Sequence, residues 1–207
     1  MTVLGIFAHP DDEVLGCGGT LARLAKEGHQ IYICLLGVRH LVTEATQVGA
    51  LLGAQKILAM QVATDQEFDS VPLLTLIHAI EHQLDSIHPH SIYTHHTHDL
   101  NHDHALIAKA VLTATRPKPG QCVKEVLMCE IPSSTEWAFN GNFKPSVFMD
   151  IADTLDLKLQ AMRLYESETR TFPHPRSPEA LRALALYRGS IAGVQAAEAF
   201  ELVRAIR

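Results

Sequence analysis

Five consecutive residues combine side chains that bind metals with side chains that accept protons: His9-Pro10-Asp11-Asp12-Glu13. Zinc prefers imidazole and carboxylate ligands, and a catalytic zinc site keeps one position open for water. Across a turn, His9 and Asp12 can converge on one ion while Asp11 stays free to take a proton from water. We therefore predict a metal centre here, with His9 and Asp12 as ligands and Asp11 as the general base. The alternative is a helix N-terminus that is merely capped by acidic residues.

A second polar run lies further along the chain: His98-Asp99-Leu100-Asn101-His102-Asp103-His104. Its last residue, His104, falls in the first turn of a predicted helix and should point back toward the same ion as a third ligand. Asp103 is placed to hold a histidine ligand in orientation. Two histidines and one carboxylate favour Zn²⁺, with an open iron(II) site as the competing interpretation. The alternative is that the histidines only decorate a surface loop.

The elements that position these residues follow an alternating pattern. Apolar runs predict strands at 3–8, 30–36, 56–62, 91–96, 123–131 and 147–151. Helical spacing predicts helices at 43–53, 72–87, 103–115, 152–166 and 178–187, whereas 198–206 fits either a strand or a helix. This alternation predicts an α/β fold in which helices cover both faces of a mostly parallel sheet.

The predicted sheet brings residues with chemical potential to one edge. Ligands bind such sheets in the crevice at the carboxyl ends of the strands. His9 follows the first predicted strand, Arg39 follows the second, and the segment 95–104 follows the strand at 91–96. We therefore expect all three to contribute to one site.

A glycine-rich stretch follows the first motif. Gly16, Gly18 and Gly19 predict a tight loop that leads into a helix ending near Gly28. The spacing G-x-G-G differs from the G-x-G-x-x-G fingerprint of dinucleotide-binding folds, and the acids before it would repel a pyrophosphate. We expect no nucleotide site at this position.

Length and composition limit the class of protein. The 207 residues suit a single domain, 1–207, and an apolar fraction of 47% excludes a disordered chain. A formal net charge of −6 disfavours nucleic-acid binding, which needs a basic face. No apolar run reaches the ~18–20 residues of a membrane span, and acidic residues come too early for a signal peptide. The four cysteines form no C-x-x-C pair, so we expect reduced thiols in a cytoplasmic protein.

Taken together, the motifs resemble those of the PIG-L/LmbE-like family of zinc-dependent N-deacetylases. The resemblance rests on residues 8–13, on Asp99-x-Asn101-x-Asp103-His104 and on the segment from Arg39 to Glu44. It implies a Rossmann-like fold and hydrolysis of an N-acetyl group from a small-molecule amino sugar or glycoconjugate, giving acetate and a free amine. It also implies one zinc per chain, with His9, Asp12 and His104 at the family's ligand positions and Asp11 as its general base. Members of the family often assemble, which implies a homo-oligomer.

Asn101 departs from the family pattern. Many members carry a histidine three residues before the last ligand, where it stabilises the oxyanion or protonates the leaving amine. Asparagine can donate a hydrogen bond but cannot exchange a proton. We therefore predict that Asn101 is catalytic as a neutral donor. The acid is then either Asp11 or one of His95, His96 and His98.

Several residues are predicted to bind substrate. Arg39 resembles a family position that contacts sugar hydroxyls or a phosphate, and its alternative is a plain surface arginine. Trp137 could stack on a sugar ring, and its alternative is an anchor in the core. His174, between two prolines, is expected to reach the site from the C-terminal part of the chain. Asp99 and His96 complete this predicted set.

Two other functions compete with deacetylation. One is a zinc amidase that splits a sugar-amine or thiol conjugate and so releases a larger acid. The other is a non-catalytic protein that binds metal or sugar on the same fold. Asp11 argues against the second alternative, because binding alone needs no base.

Overall fold

A computed structural model describes residues 1–38, 41–62, 67–139 and 143–207, so the predicted substrate residue Arg39 lies outside the described residues. Within them the chain forms a seven-stranded sheet of β1 (Thr2–Phe7), β2 (Gln30–Leu35), β3 (Lys56–Ala59), β4 (Ser91–His95), β5 (Glu125–Cys129), β6 (Val147–Asp150) and β7 (Ala197–Ala205). The α-helices are α1 (Asp12–Lys26), α2 (Val42–Leu52), α3 (Leu73–Ile87), α4 (His102–Ala114), α5 (Leu155–Leu164) and α6 (Pro178–Ala192).

The sheet is mostly parallel, as predicted. Its strand order is β3-β2-β1-β4-β5-β7-β6, and the five strands from β3 to β5 run parallel. The ambiguous segment 198–206 is β7, which pairs antiparallel with β5 on one side and with β6 on the other. The predicted α/β fold class is confirmed.

Helices cover both faces of the sheet because strand residues alternate between two cores. Val3 and Phe7 of β1 point into a core shared with α1, α2 and α5. Leu4 and Ile6 of the same strand point into a second core shared with α3 and α4. This alternation is what strand geometry requires of a strand buried on both faces. Among the described residues, no helix is both long and apolar enough to cross a membrane.

The predicted glycine loop is wrong, because these glycines lie inside helix α1. The helix begins at Asp12 and is kinked at Cys17, where φ is −150° and ψ is 20°. A Cβ atom on Gly16 would lie 2.9 Å from Cβ of Cys129, and one on Gly19 would lie 2.9 Å from a methyl of Ile151. Gly16 and Gly19 therefore let α1 pack closely against β5 and Ile151, and this packing outweighs their weak helix propensity.

The connections between the strands change direction at β1. Strand β1 pairs with β2 on one side and with β4 on the other, so the connections leave it in opposite directions. Ligand sites of open α/β sheets lie at such a switch point, beyond the carboxyl ends of the strands. Here those ends are Phe7 of β1 and His95 of β4.

Candidate metal and catalytic centre

The turn between β1 and α1 places the first motif at the carboxyl end of β1. The backbone N–H of Ala8 donates to Nε2 of His95 over 2.8 Å, which ties the end of β1 to β4. The N–H of His9 donates to Oδ2 of Asp12 over 2.9 Å. Asp12 is the first residue of α1, so the turn holds both predicted ligands on the same side of the sheet edge.

The second motif is fixed by the start of helix α4. Asn101 is its N-cap, and its Oδ1 accepts the N–H of Asp103 over 3.0 Å. The N–H of Asn101 in turn donates to Oδ1 of Asp99 over 2.8 Å. Capping of this kind satisfies N–H groups that the first helical turn leaves without partners. As a result, His104 sits in the first turn of α4 and faces the β1–α1 turn.

Three predicted ligands converge at this point. Atoms of His9, Asp12 and His104 all lie within 4.8 Å of one another, and the described residues contain no other such group of histidine, cysteine and acidic side chains. Nδ1 of His9 lies 3.4 Å from Oδ2 of Asp12. Nε2 of His104 lies 3.3 Å from Oδ1 of the same carboxylate. The two imidazoles thus flank one carboxylate, as a shared cation would require.

In His9 and His104, the ring nitrogen that does not face Asp12 lies next to a second carboxylate. Nε2 of His9 lies 2.9 Å from Oδ2 of Asp103, and Nδ1 of His104 lies 3.3 Å from Oδ1 of Asp99. Such partners fix the ring orientation and direct the other nitrogen toward the metal. Asp103 contacts His9, and its role in orienting that histidine stays a prediction.

Asp99 does not lie where a substrate-binding residue would. Its side chain is fully buried. The hydroxyl of Ser134 donates to its Oδ1, and the hydroxyl of Thr135 donates to its Oδ2 over 2.6 Å. We correct its assignment to an orienting partner of His104, because both oxygens are already occupied away from solvent.

Two of the predicted ligands, Asp12 and His104, have strongly shifted pKa values. Burial disfavours charge on both Asp12 and His104, but each stabilises the charged form of the other. The Asp12 carboxylate raises the pKa of His104 to about 9. Despite its burial, Asp12 has a pKa well below its usual range, because His104 and His95 lie beside it. A cation bound here would displace the proton of His104, since only neutral imidazole coordinates a metal.

Asp11 is buried beside the predicted ligands in an uncommon backbone conformation. Its φ is 105°, in the left-handed region that non-glycine residues rarely adopt. Its N–H donates to Oε2 of the buried Glu13 over 3.1 Å, and the hydroxyl of Tyr165 donates to Oε1 of Glu13 over 2.6 Å. Burial and the neighbouring Asp12 raise the pKa of Asp11 well above its usual range, although Arg176 opposes them.

Arg176 is a site residue that the sequence analysis missed. Its Nη1 donates to Oδ2 of Asp11 over 2.9 Å and to Oε2 of Glu168 over 3.0 Å. Its Nε donates to the hydroxyl of Ser133 over 2.8 Å. Arg176 lies two residues after His174, which was predicted to reach the site. That proximity was the available signal, but it does not reveal a contact with Asp11.

The three histidines predicted as candidate acids, His95, His96 and His98, differ in burial. His95 is fully buried, and burial lowers its pKa to about 3. Its ring stacks on that of His104, with centroids 4.0 Å apart. Nε2 of His96 lies 3.4 Å from Oε2 of Glu201, and its side chain is almost fully buried, which leaves little surface for substrate. His98 is exposed.

Two of the predicted substrate residues, Trp137 and His174, contact each other. Trp137 is 41% exposed, so it does not anchor its loop in the core. Its ring meets that of His174 edge-on, with centroids 6.2 Å apart. The loop after β5 and the segment before α6 therefore touch each other beside the residues that hold Arg176.

Comparisons with known proteins show the family to which the chain belongs. The PIG-L family, described as GlcNAc-PI de-N-acetylase, matches residues 4–115, which is more than half of the chain. The uncharacterized deacetylase YaiS of Escherichia coli strain K12 is 29% identical over 181 residues, covering 80% of this chain and 90% of YaiS. Diacetylchitobiose deacetylase of Thermococcus kodakarensis is 27% identical over 226 residues, covering 99% of this chain and 84% of that enzyme.

A solved structure shares the whole fold. The conserved protein TT1542 of Thermus thermophilus superposes with a TM-score of 0.81 at 24% identity, covering 99% of this chain and 96% of that one. Likeness at this identity shows the fold, whereas the family match extends over both polar motifs. The chain therefore belongs to the PIG-L family of N-deacetylases, as its two motifs predict.

Proposed function

We propose that this chain is a zinc-dependent N-deacetylase that releases acetate from an N-acetylated amino sugar or a glycoconjugate. The observation that carries the proposal is the convergence of His9, Asp12 and His104 next to the buried carboxylate of Asp11. Metal ligands alone would suit a binding protein, but a separate carboxylate beside them suits hydrolysis. The Thermococcus relative is named for the deacetylation of a sugar, which supports the substrate class.

The donor set fits Zn²⁺. His9 and His104 supply imidazole nitrogens, Asp12 supplies carboxylate oxygens, and a carboxylate lies behind each imidazole. Three protein ligands leave a position open, as in catalytic zinc sites. A bound Zn²⁺ would polarise the amide carbonyl and lower the pKa of water enough for hydroxide to form near neutral pH.

Asp11 moves the protons in this proposal. It accepts a proton from the attacking water and later returns it to the nitrogen of the leaving amine. The amine must be protonated because an amide anion is too poor a leaving group. His95 is unsuited to the acid role, since its pKa of about 3 leaves it neutral and its Nε2 accepts the N–H of Ala8.

Asn101 supplies a neutral donor in this proposal. Its Oδ1 is held by the N–H of Asp103, which fixes the plane of the amide. No described residue accepts a hydrogen bond from its Nδ2. That N–H₂ group is free to stabilise the negative oxygen that develops on the acetyl carbonyl.

Trp137 and His174 form the proposed wall for the sugar, and Arg39 remains a proposed contact for a hydroxyl or phosphate.

The proposed cytoplasmic location rests on the absence of any disulfide among the cysteines, and assembly into a homo-oligomer rests on the family resemblance. We propose no nucleic-acid partner, because the net charge is −6.

The test is a product assay on zinc-loaded protein with free and nucleotide-linked N-acetylhexosamines, and metal-stripped protein as the control. We expect acetate and free amine in equal amounts. Release of a larger acid from sugar conjugates, with no acetate, would favour the amidase instead. Absence of any product across the panel would favour a binding protein.

A further inference from the structure

We propose that Arg176 is a positioning residue for the general base, and that it acts by fixing the carboxylate of Asp11. The inference rests on the proposed catalytic role of Asp11. Arg176 lies outside residues 4–115, the part of the chain that matches the family. The segment between α5 and α6 would then take part in catalysis as well as in folding.

Asp11 is held at both its backbone and its side chain. Glu13 accepts its N–H over 3.1 Å, which supports the left-handed backbone at φ 105°. Arg176 donates to its Oδ2 over 2.9 Å. No described residue donates to Oδ1, the other carboxylate oxygen. The arrangement thus occupies one oxygen and leaves the second to take a proton from water.

Arg176 is itself held in place. Its Nε donates to Ser133 in the loop after β5, and its Nη1 donates to Glu168 in the segment after α5. A guanidinium is planar, always charged and able to donate in several directions at once, so these bonds fix its plane against Asp11. Lysine offers one compact ammonium group and cannot reproduce donation from both Nε and Nη1.

A purely structural role for Arg176 is the competing explanation. Its three partners belong to three segments of the chain, so the residue could simply tie the loops together. The two explanations differ in one respect. A structural tie lowers stability whether or not Asp11 is present, whereas a positioning residue affects the rate only through Asp11.

The first experiment compares Arg176→Met and Arg176→Lys with Arg182→Met. Arg182 is a matched control because it pairs with Asp156 on the surface, away from the site. We expect Arg176→Met to lower kcat by roughly ten- to a hundredfold, as for a misplaced catalytic group, with KM and zinc content nearly unchanged. Arg176→Lys should restore only part of the rate, and Arg182→Met should leave it unchanged. A further variant, Arg176→Ala, leaves space for a small cation in place of the lost side chain. Millimolar guanidinium should therefore raise the kcat of Arg176→Ala but have no effect on Arg182→Met.

The second experiment combines Arg176→Met with Asp11→Asn. If Arg176 acts through Asp11, the double variant should be no slower than Asp11→Asn alone. The Tm of metal-free protein gives a readout that does not depend on turnover. In that measurement, the sum of the Tm losses of the two single variants should exceed the Tm loss of the double variant. Either substitution alone already breaks the ion pair between Arg176 and Asp11. This cycle tests the contact even if the deacetylase proposal fails.

The proposal is overturned if Arg176→Met keeps its wild-type kcat, or if the double variant is slower than Asp11→Asn by the full factor seen for Arg176→Met. Additive losses in Tm would show that Arg176 and Asp11 do not interact. Lack of guanidinium rescue, together with zinc loss in Arg176→Met, would assign Arg176 a structural role. A wild-type protein that releases no acetate would remove the proposed function, whereas the Tm cycle would still report on the contact.

Discussion

Asn101 is expected to serve two functions that substitution can separate. Its Oδ1 caps helix α4 through the N–H of Asp103, and its Nδ2 is the proposed donor to the oxyanion. Loss of a capping side chain costs about 1 kcal/mol. For a domain of this size that corresponds to roughly 2–4 °C in Tm. Loss of one oxyanion donor costs about 3–4 kcal/mol in activation free energy, or roughly a hundredfold or more in kcat.

Alanine and serine at position 101 distinguish these two effects. Asn101→Ala removes both the cap and the donor, so it should lose both Tm and kcat. Asn101→Ser keeps a capping oxygen but is too short to replace the amide donor, so it should keep Tm and lose kcat to a similar degree. The assay pairs thermal unfolding with acetate release, and zinc content is measured in each variant to show that His104 is still in place.

A wild-type kcat in Asn101→Ser would refute the role of the Asn101 amide as an oxyanion donor. In that case Asn101 acts only as the N-cap of helix α4, and another group must stabilise the oxyanion. A lower Tm with an unchanged kcat in Asn101→Ala would equally refute that donor role. A loss of zinc in both variants would show instead that the cap acts by placing His104.

Four further outcomes are expected. Alanine at His9, Asp12 or His104 should reduce zinc content strongly by elemental analysis, and full occupancy in His104→Ala would remove it from the ligand set. Asp99→Asn should weaken zinc affinity by roughly ten- to a hundredfold in a chelator competition, because the carboxylate behind His104 is lost; unchanged affinity would return Asp99 to another role. Lys158→Met should destabilise the fold by roughly 3–5 kcal/mol in urea, because the buried Glu198, 2.6 Å from Nζ, loses its counter-charge; a loss below ~1 kcal/mol would contradict this. Arg39→Ala should raise KM with little change in kcat, and an unchanged KM would make it a plain surface residue.

The parts of the fold that depend on local pattern could be predicted from the sequence. The apolar runs of β1 and β4 and the polar runs that follow them mark the carboxyl ends of neighbouring strands. His9 and Asp12 are three residues apart, so a single turn can bring them together. The convergence of His104 on that pair follows once both runs lie at one sheet edge.

Features that depend on distant contacts could not be predicted. Arg176 meets Asp11 across 165 positions of the chain, and Tyr165 meets Glu13 across 152. Nothing in either local sequence specifies these pairings. The direction of Asp99 is set by hydroxyls from the loop after β5, so its place in a polar run was not informative.

Local propensity was misleading for α1 and left β7 undecided, and contacts with distant residues decide both elements. The glycines of α1 predict a loop, but close packing against β5 and Ile151 requires them in a helix. The residues of β7 fit a helix or a strand equally well, and pairing with β5 and β6 decides the outcome.

The most direct test of the central claim is a zinc titration of metal-stripped protein, with bound metal and released acetate measured in the same samples. We expect acetate release to rise in proportion to bound zinc and to saturate at one ion per chain. Asp11→Asn should bind zinc with the same stoichiometry and release almost no acetate. Full activity in metal-stripped protein, or in Asp11→Asn, would contradict the assignment of this site as the deacetylase centre.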